Sequence, residues 1–457
     1  MFLSAWPMAA PAGTLQLWVG VFDVDPLPIT TPTFSIGKTT LVLTGVPSLQ
    51  PISDWTRGQG KSFNYFGVFS FDLMQLPADA RHKAMSIEIK FGTAVPISVP
   101  TKALPDSLDD GFTILLSSCY YHENQARGLA SIAHMLQDWP DMVLLAGDQV
   151  YLDNPLLEVI PKTQPELSQK FGDKYAKNFI RPGSGLRSLL TLAPTACIPD
   201  DHELWNNYPS PSITMVGSGD PVIFKRLRDA ARALYDDYQQ GGPNPSGTQR
   251  LQIGPLHMLF ADTRFNRTSK TTVDGLFGVD TEKALVAWKN ALLNTHKAKQ
   301  LAIGVLACGQ ILLAEPESLD LLDANLQNYR QFSVIVDTIR QLADAGVPVL
   351  FLSGDIHFSR VTAATYQKTD HQCLFEVISS PSSLLPGTQG TPKEAPKSFD
   401  GNRFKTEAME LLKGDVVTTL KFLRSGTGVQ VAVTYYGLDT NVRTNKASCS
   451  FQMTPRF

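Results

Sequence analysis

Four short segments of this 457-residue chain concentrate side chains able to hold a metal ion. They are SSCYYHENQ with Cys119, AGDQVYLDN with Asp148 and Tyr151, CIPDDHELWNN with Asp200, Asp201, His202, Glu203, Asn206 and Asn207, and SGDIHFS with Asp355 and His357. Each ends or follows an apolar run, and α/β folds place ligands at the carboxyl ends of their strands. Taken singly, each has an ordinary explanation: a strand-ending Gly-Asp is a turn or a helix cap, and Asp-His-Glu is a surface loop. Asp355 and His357 lie two apart, which on an extended chain turns both to one side. Four such clusters in one chain offer thiol, phenol, carboxylate, imidazole and amide donors together, and that conjunction points to metal chemistry.

The elements that must position them follow from hydrophobic periodicity. From about residue 111, GFTILLSSC, DMVLLAGDQVY and VPVLFLSGDIHFS read as continuously apolar strands, the signature of a sheet covered on both faces. Helical spacing is expected over NQARGLASIAHMLQDW, about 222–240, about 281–293 and about 326–345. QRLQIGPLHMLFADT reads as a strand pair, and QLAIGVLA, CLFEVISSP, GVQVAVTYYG and KASCSFQM read as further strands. Residues 1–105 are all-β in character, with runs such as TLQLWVGVFDV and NYFGVFSFDL between Pro, Gly and Asp clusters, and form a small sandwich-like leading domain. Residues 106–457 form the catalytic domain. Gly/Pro/Ser-rich stretches at about 209–221, 241–248 and 380–396 are read as surface loops.

Composition bounds the function classes. Hydrophobic residues make up 43% and charged residues 18%, enough for a large core and against disorder. The net charge of −3 gives no electrostatic case for nucleic acid or an anionic membrane, so any attraction for an anionic substrate must be local. Five scattered cysteines without a CxxC pair form neither a disulfide framework nor a structural zinc site. No apolar run approaches a membrane span, and no GxSxG elbow or Walker A loop occurs. An N-terminus with no basic leader and no twin arginine predicts a cytoplasmic protein.

The ordered set SSC, GDQVY, DDHELWNN and SGDIHFS, with ADTR at 261–264 and EVISSP at 376–381, resembles the PhoD-like alkaline phosphatases, a branch of the calcineurin-like metallophosphoesterases. The resemblance covers roughly residues 111–385. It implies a four-layer α/β/β/α sandwich after the small β domain, and hydrolysis of phosphate esters by metal-bound hydroxide at a two-metal site holding ferric iron and calcium. It implies Cys119 as a thiolate ligand, Asp148 as the carboxylate bridging both metals, Tyr151 as a phenolate and His357 completing the first site. Asp355, one of Asn206 or Asn207, and Asp201 would serve the second, with His202 acting on substrate or leaving group. A second metal clamps phosphoryl oxygens while the first lowers the pKa of water from about 15.7 to about 7. Arg264 is read either as a bidentate phosphate contact or as an ion-pair partner of Asp262.

The expected partner is a small-molecule phosphoester, with no protein partner indicated. Monoester and diester activity share one ligand set, so alkaline phosphatase and phosphodiesterase readings both stand. The rivals are a diesterase specific for a lipid or nucleotide, and a catalytically silent binding protein on the same fold. The chain departs from the family pattern in lacking a twin-arginine signal and in having Tyr208-Pro209 after Asn207.

Overall fold

The computed structural model describes residues 1–24, 30–45, 47–53, 63–77, 81, 83–124, 129–155, 158–267, 277–315, 326–385, 388, 390–438 and 445–457. The continuous apolar runs become the central strands of two large sheets. In one, Phe112–Ser117, Met142–Ala146 and Thr195–Ile198 run parallel as neighbours. In the other, Leu256–Ala261, Ile303–Ala307, Val349–Ser353 and His371–Ile378 do the same. Side chains alternate between the faces, so each strand feeds two cores. Ile114 and Leu116 meet Met258, Val305, Leu350 and Phe375 between the sheets. Leu115, Val143 and Leu145 face outward onto helices Gln164–Tyr175 and Pro221–Tyr235 through Leu167, Phe171, Leu227 and Leu234. Leu259, Leu306 and Phe351 face helices Val279–Lys297 and Phe332–Asp344 through Leu285, Trp288, Ile339 and Leu342. The result is the expected four-layer α/β/β/α arrangement. Each fully buried Leu or Phe contributes roughly 1.5–3 kcal/mol to it.

The N-terminal region is all-β. Phe2–Met8, Thr14–Phe22 and Tyr65–Asp72 form an antiparallel set, covered on one face by a small sheet that includes Thr33–Ile36, Met85–Lys90 and Ile97–Thr101. Leu17, Val19, Phe34, Phe69, Ile87 and Ile89 fill the space between these two layers. The larger layer also continues into the first large sheet: Met8 lies opposite Thr195 in parallel register, and Ala9 N–H donates to Thr195 O at 2.9 Å. On the other face, Trp6 stacks on Trp18 at 3.9 Å, and Trp18 Nε1 donates to Asp237 O at 2.7 Å.

Some elements differ from expectation. The helix expected near 124–139 is two short 3-10 turns, His122–Asn124 and Leu129–His134, with residues 125–128 outside the described set. Only Leu129 and Ile132 of the second turn are buried, too little apolar surface to hold a longer helix. Helix Gln164–Tyr175 was not expected, although Thr163 and Glu166 form a reciprocal capping box around Pro165 at its start. Strand Val416–Ser425 pairs antiparallel with Phe112–Ser117 and carries the last two strands outward from that edge. Among the described residues no helix is long and apolar enough to cross a membrane.

Candidate metal centre

The candidate ligands sit where the central strands of both sheets end, and the chain leaves those strands by an unusual backbone. Cys119, Asp148, Asn207, Asp355 and His357 all have positive φ, between 53° and 71°. They are half of the non-glycine residues in that region among the described residues, and each costs on the order of 1–3 kcal/mol there. Two glycines make the close approach possible. Gly147 has φ +91°, and a Cβ on it would lie 2.6 Å from Asp200 Cβ. A Cβ on Gly354 would lie 2.3 Å from Ser118 Cβ and 2.5 Å from Ala146 O. The Gly-Asp pairs are therefore contact points between neighbouring strand ends.

Two donor sets emerge, each with its atoms within 4.8 Å of one another: Cys119, Asp148 and His357, and Asp148, Asp201 and His202. Asp148 belongs to both. Cys119 Sγ donates to Asp148 Oδ2 at 3.4 Å and to the Asp355 carbonyl at 3.7 Å. His357 Nδ1 is 2.8 Å from Thr388 O, a contact that leaves Nε2 to the site. The Asp355–His357 segment corrects the expectation of an extended chain. It bends, with φ 71° at Asp355 and 54° at His357, so period-two alternation does not operate there. The Asp355 carboxylate falls in neither three-donor set, although its charge reaches Cys119.

Around the second set, His202 Nδ1 is 2.7 Å from Asp153 Oδ1, and the His202 ring lies 4.1 Å from that of Tyr151. The other Asp153 oxygen accepts from Asn206 N–H and the Thr214 hydroxyl, both at 2.9 Å. Asn207 N–H donates to Asp201 Oδ2 at 2.6 Å. Asp153 was not singled out from sequence; Glu203 was named only as one metal-competent residue of DDHELWNN, and Ser380 only as part of EVISSP. Asp153 follows Tyr151 by two positions in YLDN, the one local hint. Ser380 Oγ donates to Cys119 Sγ at 3.2 Å and accepts from His357 N–H at 3.1 Å, so EVISSP supplies a side chain touching two candidate ligands. Glu203, wholly buried, receives backbone N–H groups from both the Asp148 and the Asp200 turns.

Arg264 is not open to substrate. It is 0% exposed, its Nε donates to Asp200 Oδ1 at 2.7 Å, and Nη1 donates to Tyr208 O at 3.1 Å. Asp262 instead accepts the Arg264 backbone N–H. The substrate-contact reading of Arg264 therefore gives way to a buried ion pair, and the partner is Asp200 rather than Asp262.

The electrostatics show what the donors lack. Burial first, then Asp148, pushes the Cys119 thiol well above its usual pKa. Burial, then Cys119 and Asp148, does the same to the Tyr151 phenol. Burial also raises Asp148, and Asp201, Asp200 and Glu203 add to it against the opposing pull of His202. For His202, burial alone would lower the pKa, but Asp153, Asp201 and Asp148 outweigh it and raise it well above the usual range. The Tyr151 hydroxyl is buried with no hydrogen-bond partner among the described residues. A thiol, a phenol and a carboxylate common to both donor sets crowd together, with a phenol oxygen that has no hydrogen-bond partner among the described residues, and this fits cations that would reverse these shifts.

A family model described as PhoD-like phosphatase matches residues 114–414. The solved structure of PhoD superposes with a TM-score of 0.60 at 16% identity, covering 99% of this chain and 92% of its own. A predicted phosphoesterase from Streptococcus pneumoniae matches at 10% identity with a TM-score of 0.27, over 75% of this chain and 98% of its own. Vps29 from Chaetomium thermophilum matches at 10% identity with the same TM-score, over 76% of this chain and 100% of its own. Neither of these last two is close enough to bear on the fold. Among curated proteins none matches significantly.

Proposed function

The chain belongs to the PhoD-like phosphatase family, and from that premise we propose that it hydrolyses small phosphoesters at a centre of two metal ions sharing Asp148. The observation that carries this reading is the presence of Asp148 in both donor sets. Cys119, His357 and Tyr151 complete a set with thiolate and phenolate donors, which suit ferric iron. Asp201, together with Asp355 and the amide of Asn206 or Asn207 as the family resemblance implies, would make an oxygen-rich set, which suits calcium. Between the asparagines we favour Asn207, whose φ of 66° matches the other ligand positions. When bound, the metals would supply positive charge against the phosphoryl oxygens and activate water at moderate pH.

The chain's own groups do the rest. Asp153 holds His202 through Nδ1, which fixes the ring and leaves Nε2 to carry a proton toward a phosphoryl or leaving oxygen. Asp201 draws in the Asn207 N–H and so sets that turn. Ser118 and Ser380 donate to Cys119 Sγ at 3.4 and 3.2 Å, contacts that favour its anionic form. Arg264 neutralises Asp200 behind the site.

The test is metal analysis and a visible spectrum of the purified protein, with rates on p-nitrophenyl phosphate and on its bis-ester. Iron and calcium, a coloured protein and hydrolysis of at least one ester are expected. A colourless protein without transition metal, inert to both esters after iron and calcium are supplied, would sink the enzyme reading and leave the silent binding protein. The ratio of the two rates separates monoesterase from diesterase.

A further inference from the structure

Glu203 accepts four backbone N–H groups, and among the described residues none of these bonds goes to a candidate ligand's side chain. It is 0% exposed. Its Oε1 accepts from the backbone N–H of Gln149, and from that of Val150 at 3.3 Å. Its Oε2 accepts from Asp148 N–H at 2.9 Å and from Asp200 N–H at 2.8 Å. Three of the four donors are consecutive residues. Successive N–H groups converge in this way when one residue of the turn is left-handed, and Asp148 is that residue, with φ 59°. Such nests commonly hold an anion from outside; here the chain provides its own. The fourth donor opens the Asp201–Glu203 turn, which follows the neighbouring strand.

We propose that Glu203 is a positioning residue for the metal centre. It holds Asp148 in its left-handed conformation and locks the Asp148 turn to the Asp200–His202 turn, so that the shared carboxylate and its partners in both donor sets face one another. The proposal rests on the two-metal reading above and extends it to a residue that touches neither metal nor substrate. The geometry downstream agrees. Asp148 Oδ1 accepts from His202 N–H at 3.2 Å, and Leu152 N–H donates to His202 O at 3.0 Å, so the two turns stay in register just beyond the Glu203 clamp. Both Glu203 oxygens act as acceptors for four N–H groups, an arrangement that a glutamine, with one acceptor oxygen, cannot reproduce. Its amide hydrogens would point at the N–H groups of Asp148 and Asp200, or at those of Gln149 and Val150 if flipped.

The test is Glu203→Gln in the full chain, read by metal content, kinetics on the p-nitrophenyl mono- and bis-esters, and peptide-level hydrogen exchange. Expected are faster exchange confined to peptides covering 147–152 and 199–204, and iron and calcium retention or kcat lowered roughly 10–100-fold with KM changed far less. Should Glu203→Gln not fold, Glu203→Asp, which is one methylene too short to reach both turns, is read the same way. Metal content and kcat within twofold of wild type would overturn the proposal. So would faster exchange spread over the whole chain, the mark of general destabilisation. A wild-type protein that binds both metals yet hydrolyses neither ester would remove the enzyme reading alone, because the metal-retention and exchange differences would still report on Glu203.

Discussion

At the scale of single residues, the site divides into groups that would touch metal or substrate and groups that aim them. On the proposed reading Tyr151 belongs to the first kind: its hydroxyl is buried with no hydrogen-bond partner among the described residues. Tyr151→Phe should remove or shift the visible absorption band, and an unchanged spectrum would strike Tyr151 from the ligand set. His202 and Asp153 act as a pair. His202→Ala should lower kcat by about 10²–10⁴-fold on an ester with a poor leaving group, and Asp153→Asn should reproduce part of that loss; steady-state rates check both. Arg264 belongs to neither kind. Arg264→Leu removes the cation paired with a buried Asp200 carboxylate, so it should destabilise by roughly 3–5 kcal/mol in denaturant titration. A purely kinetic effect with unchanged stability would return Arg264 to the substrate.

At the scale of elements, the strand ends matter more than the strands. Gly354→Ala would place a methyl 2.3 Å from Ser118 Cβ and 2.5 Å from Ala146 O, both in the neighbouring sheet, with no flexible side-chain end to yield. It should lower the melting temperature and separate Cys119 from His357, to be seen together in thermal scans and metal content. This is also where sequence reasoning reached its limit. The metal-competent residues were legible because they interrupt apolar runs, and the central strands were legible because those runs are continuous. Asp153 was not, and the roles of Glu203 and Ser380 were not, since their meaning lies in backbone and side-chain partners far away in sequence. Ser380 and Cys119, for instance, meet across 261 positions. Alternation failed at Asp355–His357 because it presumes an extended backbone, and the backbone there is left-handed at two of three residues. Taken singly, a Gly-Asp pair reads as an ordinary turn, because nothing local reveals that each glycine is wedged against another strand end.

At the scale of the whole molecule, the N-terminal layer and the first large sheet are one hydrogen-bonded surface, and one of their further contacts runs through a buried carboxyl. Asp237, the second residue of the segment Asp236–Gln240 that follows helix Pro221–Tyr235, accepts Ser53 N–H at 2.7 Å. Burial raises its carboxyl to about 6. A carboxyl that holds its proton more tightly when folded loses stability as pH rises from its unfolded value near 4 to about 6, and carries the full deficit above that. Asp237→Asn should therefore raise the melting temperature at pH 7 and leave it nearly unchanged at pH 4; equal shifts at both would deny the linkage. The joint between Met8 and Thr195 has a different kind of consequence, one of timing. During synthesis the early strands emerge with an open edge whose partner is still unmade. At about 5–20 residues per second that edge waits on the order of ten to forty seconds for the strand that closes it. A chain built this way exposes a β-edge to its neighbours on the polysome, so its yield in cells should depend on translation speed and chaperone supply before any metal is bound.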